Sequence, residues 1–321
     1  MEILNKVVEN FDFNHCVERE GFIFTSIMEP ANILDAIVIR NPETSMSITP
    51  QKSSSKKTLK EHIDLINLYQ LEKACVTAEN LEFLLKCPSL KYLQIIPAKT
   101  ASENFDYSPL YNMPEIKYLM AVTEYRDPLN PTITSIDYSK IDGLKEVRIE
   151  GKGHQNYNQI DTVEYLYISN VKLLDFVGME RCKNLKKLDL LQTKIKSLKG
   201  IEHFQCLQGL SLEYERYLND VSEIVNVSKT LKALSISNCP KIMDFSFLEQ
   251  MGNLECLELN GKNVLPNLNF LKEMPQLRSF VFSMEVADGD LRPCLDIPYV
   301  YSKKNRKGYN LKDRDLPKNM A

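Results

Sequence analysis

The stretch LKKLDLLQTKIKSLKGIEHFQCLQGLSL, Leu185 to Leu212, decides how the rest of the chain is read. Leu185, Leu188 and Leu190 spell L-x-x-L-x-L, and Thr193, Ile195 and Leu198 follow. Ile201 and Phe204 come next, and the spelling restarts at Leu207 with Leu210 and Leu212. The restart falls 22 residues on, within the 20–29 residue period of a short-strand solenoid repeat. One such unit cannot bury its own apolar edge, so neighbours are required on both sides.

Those neighbours are present in the sequence. The first apolar position recurs at Ile63, Leu90, Ile116, Leu144, Val163, Leu185, Leu207, Leu231, Leu254 and Leu277. A second register runs alongside. Three residues before the first position stand Cys87, Met113, Ile141, Ile160, Cys182, Phe204, Met251 and Met274, with further apolar residues three positions earlier still. Spacing of three suits a short helix or 3-10 return. Each unit is therefore expected to be a strand, a turn and a helical return. The fold class is α/β: a leucine-rich repeat solenoid with a parallel sheet on the concave face and 3-10 returns on the convex face. The common motif places Asn or Cys just after the strand. Thr193 and Cys239 fit that position, whereas Val171, Glu215 and Lys262 depart from it.

Residues 1–56 fit the repeat poorly and are expected to form an N-terminal cap, 57–284 the repeats, and 285–321 a C-terminal cap with a basic tail. Within the first segment, Gly21 to Ile27 and Ala36 to Ile39 read as strands. Leu34, Ile37 and Ile39 imitate the repeat spelling. Asp127 to Thr134 and Gly151 to Asn158 are expected as exposed loops. Leu291, Leu295, Ile297, Val300 and Tyr301 are expected to close the last coil, ahead of Lys303, Lys304, Arg306, Lys307, Lys312, Arg314 and Lys318.

Composition narrows the function classes. The chain is 43% hydrophobic, enough for a substantial core, and its net charge of −3 gives no global field toward nucleic acid or a membrane. No apolar run is long enough to span a bilayer. The N-terminal twenty residues lack a basic region followed by an apolar one, so a secretory signal is not expected and a cytoplasmic location is. The 8 cysteines include no C-x-x-C pair, and several occupy apolar repeat slots, which reads as buried thiols in a reducing compartment. No metal or cofactor is expected. No nucleotide-binding loop, H-E-x-x-H or G-x-S-x-G motif occurs. His15, His62, His154 and His203 share no spacing, and only His154, in a loop beside Tyr157, stays open as a chemical group.

The run L-x-x-L-x-L-x-x-T-x-I-x-x-L-x-G-I at Leu185 to Ile201 resembles the leucine-rich repeats of bacterial internalins and of phosphatase-regulating cytoplasmic repeat proteins. The end, ADGDLRPCLDIPYV with YNLKDRDLP, resembles the terminus of uncharacterised bacterial cytoplasmic leucine-rich repeat proteins. The resemblance implies protein binding. Since some bacterial repeat proteins inhibit cognate toxins in the cytoplasm, it also implies an immunity or inhibitor role. A regulatory scaffold for a phosphatase or kinase is the alternative, and nucleic-acid binding through the basic tail comes third.

Non-core strand positions are expected to face a partner protein. Leu65, Asn67 and Tyr69 are placed there for the first repeat. The residues expected to carry partner binding are Tyr69, Tyr92, Tyr118, Met120, Arg148, Tyr165, Tyr167, Asp189, Glu213 and Glu258. Tyrosines suit interfaces because a rigid ring covers area while its hydroxyl stays hydrogen-bonded.

Overall fold

A computed structural model describes residues 16–19, 22–25, 36–40, 59–97, 105–125 and 132–319. The chain folds as two compact units, Asn10–Val163 and Glu164–Ala321.

Repeat chemistry shows most plainly in the second unit. Its strands are β12 (Tyr165–Ser169), β13 (Lys187–Leu191), β14 (Gly209–Glu213), β15 (Ala233–Ser237), β16 (Cys256–Asn260), β18 (Ser279–Phe282) and β20 (Tyr299–Ser302). Each pairs in parallel with the next coil's strand, in a register that aligns Leu166, Leu188, Leu210, Leu234, Leu257, Phe280 and Val300. Alternate strand residues point to opposite faces. Leu188, Leu190, Leu210, Leu212, Ile236 and Leu259 are accordingly at most 1% exposed. Two-residue strands β17 (Val264–Leu265) and β19 (Glu285–Val286) pair in the loops.

The returns explain the spacing of three. In the coil before Leu207, the amide of Ile201 donates to Leu198, Phe204 to Ile201 and Leu207 to Phe204, each at 3.0 Å. The same chain of bonds from residue i to i−3 links Phe245, Leu248, Met251 and Leu254, and again Leu268, Leu271, Met274 and Leu277. A 3-10 return eclipses residues three apart, so one apolar stripe meets the strand leucines. Gly200 starts one return at φ +93, where a Cβ would lie 2.8 Å from the carbonyl carbon of Phe176.

Two repeating devices set the turns, and neither is visible in the leucine spelling. The residue seven after the first apolar position leaves the strand in a left-handed conformation: Asn170, Gln192, Tyr214 and Asn238 have φ of 53 to 57. Their amides donate to Leu191, Glu213, Ser237 and Asn260 of the next coil. Ahead of the returns, Asp220 and Asp244 accept from the amides of Ser222 and Ser246, and Asp290 from that of Arg292. These Asx turns supply acceptors that the short helices lack.

The position after the strand is better filled than the motif suggests. Glu215 is fully buried and accepts from the amide (3.0 Å) and hydroxyl (2.7 Å) of Thr193 in the preceding coil. Burial pushes its carboxyl above the ordinary glutamate value, against those two bonds. After Gly261 the slot moves one residue, from Lys262 to Asn263, whose amide donates to the carbonyls of Cys239 and Ile242. Glu215 therefore fills the ladder it was expected to break.

In the first unit, β1 (Cys16–Arg19) and β2 (Phe22–Thr25) form an antiparallel hairpin and β2 pairs antiparallel with β3 (Ala36–Arg40). Parallel pairing then runs through β4 (Lys73–Ala78), β5 (Tyr92–Pro97), β6 (Tyr118–Ala121) and β10 (Glu146–Glu150). Ile37 and Ile39 stand in register with Ala74 and Val76, so the imitation of the repeat near the N-terminus is a coil strand.

Nine of the ten expected starts lead into such strands; the first does not. Ile63 lies on helix α1 (Leu59–Tyr69), within the crossover between the parallel strands β3 and β4. Apolar residues at Leu59, Ile63 and Ile66 have helical spacing, which L-x-x-I mimics. Leu71, Ala74 and Val76 carry the strand unit instead, hidden because alanine replaces leucine.

The expected loops are only partly described. Asp127 to Pro131 lie outside the described residues, and Gly151 to Asn158 is exposed as expected at Lys152, Gln155 and Asn156 but anchored at Gly151 and Gly153. There β11 (His154–Gln155) pairs with β9 (Ile136–Asp137), and a Cβ on Gly153 would stand 2.1 Å from the carbonyl oxygen of Thr134. Nearby, β7 (Glu124–Tyr125) pairs antiparallel with β8 (Thr132–Ile133).

The end of the chain is a folded strap. Tyr309 is buried, with its hydroxyl accepting from the Val286 amide at 2.9 Å. Residues 317–319 run against β20: the Val300 amide donates to Pro317 and the Asn319 amide to Pro298. Leu291, Ile297 and Val300 are buried as expected, whereas Leu295 and Tyr301 are exposed.

Candidate partner-binding face

On each sheet the leucine face takes the returns, and the other face carries the variable side chains in columns across the strands. In the first unit the columns read Lys73, Tyr92, Tyr118, Glu146 and then Gln94, Met120, Arg148. In the second the central column is Tyr167, Asp189, Ser211, Ser235, Glu258, Val281, Tyr301. One flanking column runs Tyr165, Lys187, Gly209, Ala233, Cys256, Ser279, Tyr299, and the other includes Leu191, Glu213, Ser237 and Asn260.

Nine of the ten residues expected to carry binding occupy this face. Tyr69 does not: it ends α1, 55% exposed. Tyr92, Met120, Arg148 and Tyr167 are half-buried on the face, and Glu213 is exposed. Tyr118 and Tyr165 are on the face but only 2% and 3% exposed, so they offer a partner little area.

Tyr165 is covered by its own neighbours. Lys187 Nζ stands 4.4 Å from its ring centroid and 3.3 Å from Asp189 Oδ2, and the Tyr165 hydroxyl donates to that oxygen at 2.6 Å. A buried ammonium is tolerated where a carboxylate and an aromatic face replace its water. This cluster is a fixed wall of the face.

Beside the wall the side chains are short. Ser211, Ala233 and Ser235 floor a shallow depression of about 330 Å³, with Tyr167 and Asp189 on one margin and Glu258 and Val281 on the other. Glu258 accepts from Asn260 Nδ2 at 2.5 Å and from Lys303 Nζ at 2.8 Å. The residues missed by the sequence reading are Val281, Tyr299, Tyr301 and Lys303. Ile297-x-x-Val300 was the available signal, obscured by serine at the third position, Ser302.

The histidine held open is a structural group. His154 Nε2 lies 2.9 Å from Thr123 Oγ1 and 3.1 Å from the Glu150 carbonyl, and Nδ1 lies 2.9 Å from the Tyr138 hydroxyl. Thr123 gives its own proton to the Lys152 carbonyl. A neutral imidazole donating from Nε2 and accepting at Nδ1 from the Tyr138 hydroxyl satisfies these contacts. Burial pulls its pKa down to about 4. Among the described residues no group of three or more His, Cys, Asp or Glu could hold a metal ion. Cys87, Cys182, Cys239 and Cys294 are buried free thiols, while Cys206 is exposed. No helix among the described residues is long and apolar enough to cross a membrane.

Repeat, register and return together define a leucine-rich repeat solenoid of the α/β class. Neither a family model nor a curated protein matches the sequence. Among solved structures the chain is similar to an internalin, InlF of Listeria monocytogenes, with a TM-score of 0.50 and 15% identity, over 76% of this chain and 77% of that one. It also matches a chain of the Toll–Spatzle complex from Drosophila with a TM-score of 0.42 and 14% identity, over 83% of this chain and 40% of that one, too low a likeness to carry weight. The internalin likeness concerns fold.

Proposed function

We propose that this chain is a protein-binding module that engages one partner protein through the strand face of its repeats. The observation that carries this reading is the side-chain content of that face. Tyr92, Ile96 and Met120 in one unit, and Tyr167, Leu191, Val281 and Tyr301 in the other, are half-buried or exposed at positions where the sheet needs no apolar residue. The sharper form is a cytoplasmic inhibitor or immunity protein that occludes a toxin or enzyme. An all-strand face of rigid aromatic and short residues suits occlusion, since little entropy is lost on contact. The basic tail favours protein over nucleic acid as partner, because Lys303, Arg306 and Lys318 are already paired with Glu258, Glu285 and Asp313.

The test is capture from native cells at moderate salt, followed by affinity measurement on the retained protein. Tyr167→Ala with Leu191→Ala should weaken binding at least tenfold at unchanged fold, as truncation of two interface anchors does. Unaltered affinity would refute the face as the binding surface.

A further inference from the structure

We infer that one edge of the second unit binds an anionic bilayer surface. The edge is formed by the segments that follow strands β12 to β16. Each carries exposed positive charge: Lys172 after β12, Lys194 and Lys196 after β13, Arg216 after β14, Lys241 after β15 and Lys262 after β16. In four of the five an apolar residue stands next to the cation or two positions on. These are Leu174, Tyr217, Met243 and Val264, between 44% and 80% exposed. Contacts between coils join the segments into one row. The Lys196 amide donates to the Leu174 carbonyl at 2.9 Å, and Lys241 Nζ lies 5.6 Å from the Tyr217 ring centroid. Asn263 Nδ2 donates to the carbonyls of Cys239 and Ile242, which bracket Lys241. Five coils about 4.8 Å apart extend the row over about 19 Å.

Charge and apolarity together select the occupant. Among the described residues none of these six cations stands within ion-pairing distance of a carboxylate. The acids of the same segments are engaged elsewhere. Asp175, Asp220 and Asp244 accept from the amides of Val177, Ser222 and Ser246, and Glu215 is buried against Thr193. The edge therefore holds a surplus of exposed positive charge that the whole-chain net charge of −3 conceals. Aliphatic side chains gain nothing from a phosphodiester backbone, but they gain on leaving water. Anionic headgroups meet the cations, and the acyl boundary beneath them takes the apolar tips. A protein partner would need a matched pocket for each projecting tip, whereas a fluid surface needs none. The row lies beyond the ends of the strands, so this contact leaves the partner-binding face uncovered.

The test is co-sedimentation of the intact chain with vesicles of phosphatidylcholine alone and of phosphatidylcholine with phosphatidylserine, at about 100 mM salt, where charges are screened beyond roughly 10 Å. Binding to the anionic vesicles should be at least tenfold tighter. The chain has no tryptophan, so Met243→Trp gives a single reporter. Its emission should shift to the blue on anionic vesicles, whereas that of Leu295→Trp, exposed beside the last return, should not. Lys194→Glu with Lys241→Glu should weaken binding at least tenfold. Lys229→Glu with Lys272→Glu, the same charge change beside the returns, should weaken it no more than twofold. Equal binding to neutral and anionic vesicles, an unshifted Met243→Trp emission, or insensitivity to the Lys194→Glu, Lys241→Glu change overturns the inference. Charge-dependent capture of an oligonucleotide or an acidic peptide, with the anionic vesicles left unbound, also overturns it and assigns the edge to that ligand.

Discussion

Single residues hold two of the sharpest consequences of this fold. His154 is kept neutral between Thr123 and Tyr138, with a folded pKa of about 4 against about 6.5 unfolded. Between those values the unfolded chain binds the extra proton, so stability is complete above pH 6.5 and falls as pH drops toward 4. The loss is on the order of 2 kcal/mol after allowing for partial exposure. Denaturant midpoints at pH 7 and pH 4.5 should show this slope, and His154→Gln should flatten it. Tyr214 offers the opposite sign. It holds φ +54 with an aromatic side chain 40% exposed, a conformation that costs L-residues about 1 kcal/mol and asparagine less. Tyr214→Asn should raise the melting temperature; a clear fall would show that the ring contributes more than the backbone strain costs.

At this scale the sequence was informative only where chemistry and position coincide. Asn170 and Asn238 advertise a left-handed turn; Gln192 and Tyr214, in the same conformation, do not. Glu215 looked like an interruption of the ladder because a carboxylate is rarely buried, and only the partner Thr193, 22 residues away, makes it fit. Tyr118 and Tyr165 lie on the strand face opposite the leucines, yet their burial depends on neighbouring strands that single-sequence spacing does not describe.

Elements follow from the eclipsed leucine stripe. Because Leu210 is fully buried between adjacent coils, Leu210→Ala should cost roughly 3 kcal/mol, the mid-range for truncating a core leucine. Repeat stability is largely a sum of local and nearest-neighbour contributions, so hydrogen exchange should rise most in β13, β14 and β15. Uniform loosening of the whole unit would contradict nearest-neighbour coupling. Strand elements were readable because the L-x-x-L-x-L spelling recurs with its return register. The helix α1 was misread because its i, i+3 apolar spacing satisfies part of that spelling, while Leu71, Ala74 and Val76 lack its leucines.

The strap at the end of the chain is an element with its own consequence. Residues 317–319 satisfy the outer edge of β20, and an open strand edge is a template for association. Deleting residues 303–321 should increase concentration-dependent association in sedimentation and lower the melting temperature. A truncated chain that sediments and melts as the intact one does would show that the strap protects nothing.

On the scale of the whole molecule, the repeats place their invariant chemistry on one sheet face and their variable chemistry on the other. The leucine face consumes apolar residues to hold coils together, which leaves the columns through Met120 and Tyr167 free to differ from coil to coil. That division made the face readable before the structure, but not its relief: the short-residue floor, the Lys187 wall and the rim at Lys303 arise from side chains in separate coils. The most direct test of the central claim is hydroxyl-radical footprinting of the chain with its captured partner. Binding through the strand face predicts protection of Tyr167, Leu191 and Tyr301, with Met243, 80% exposed off that face, oxidised as in the free chain. Protection of Met243 with Tyr167, Leu191 and Tyr301 unchanged would contradict the account.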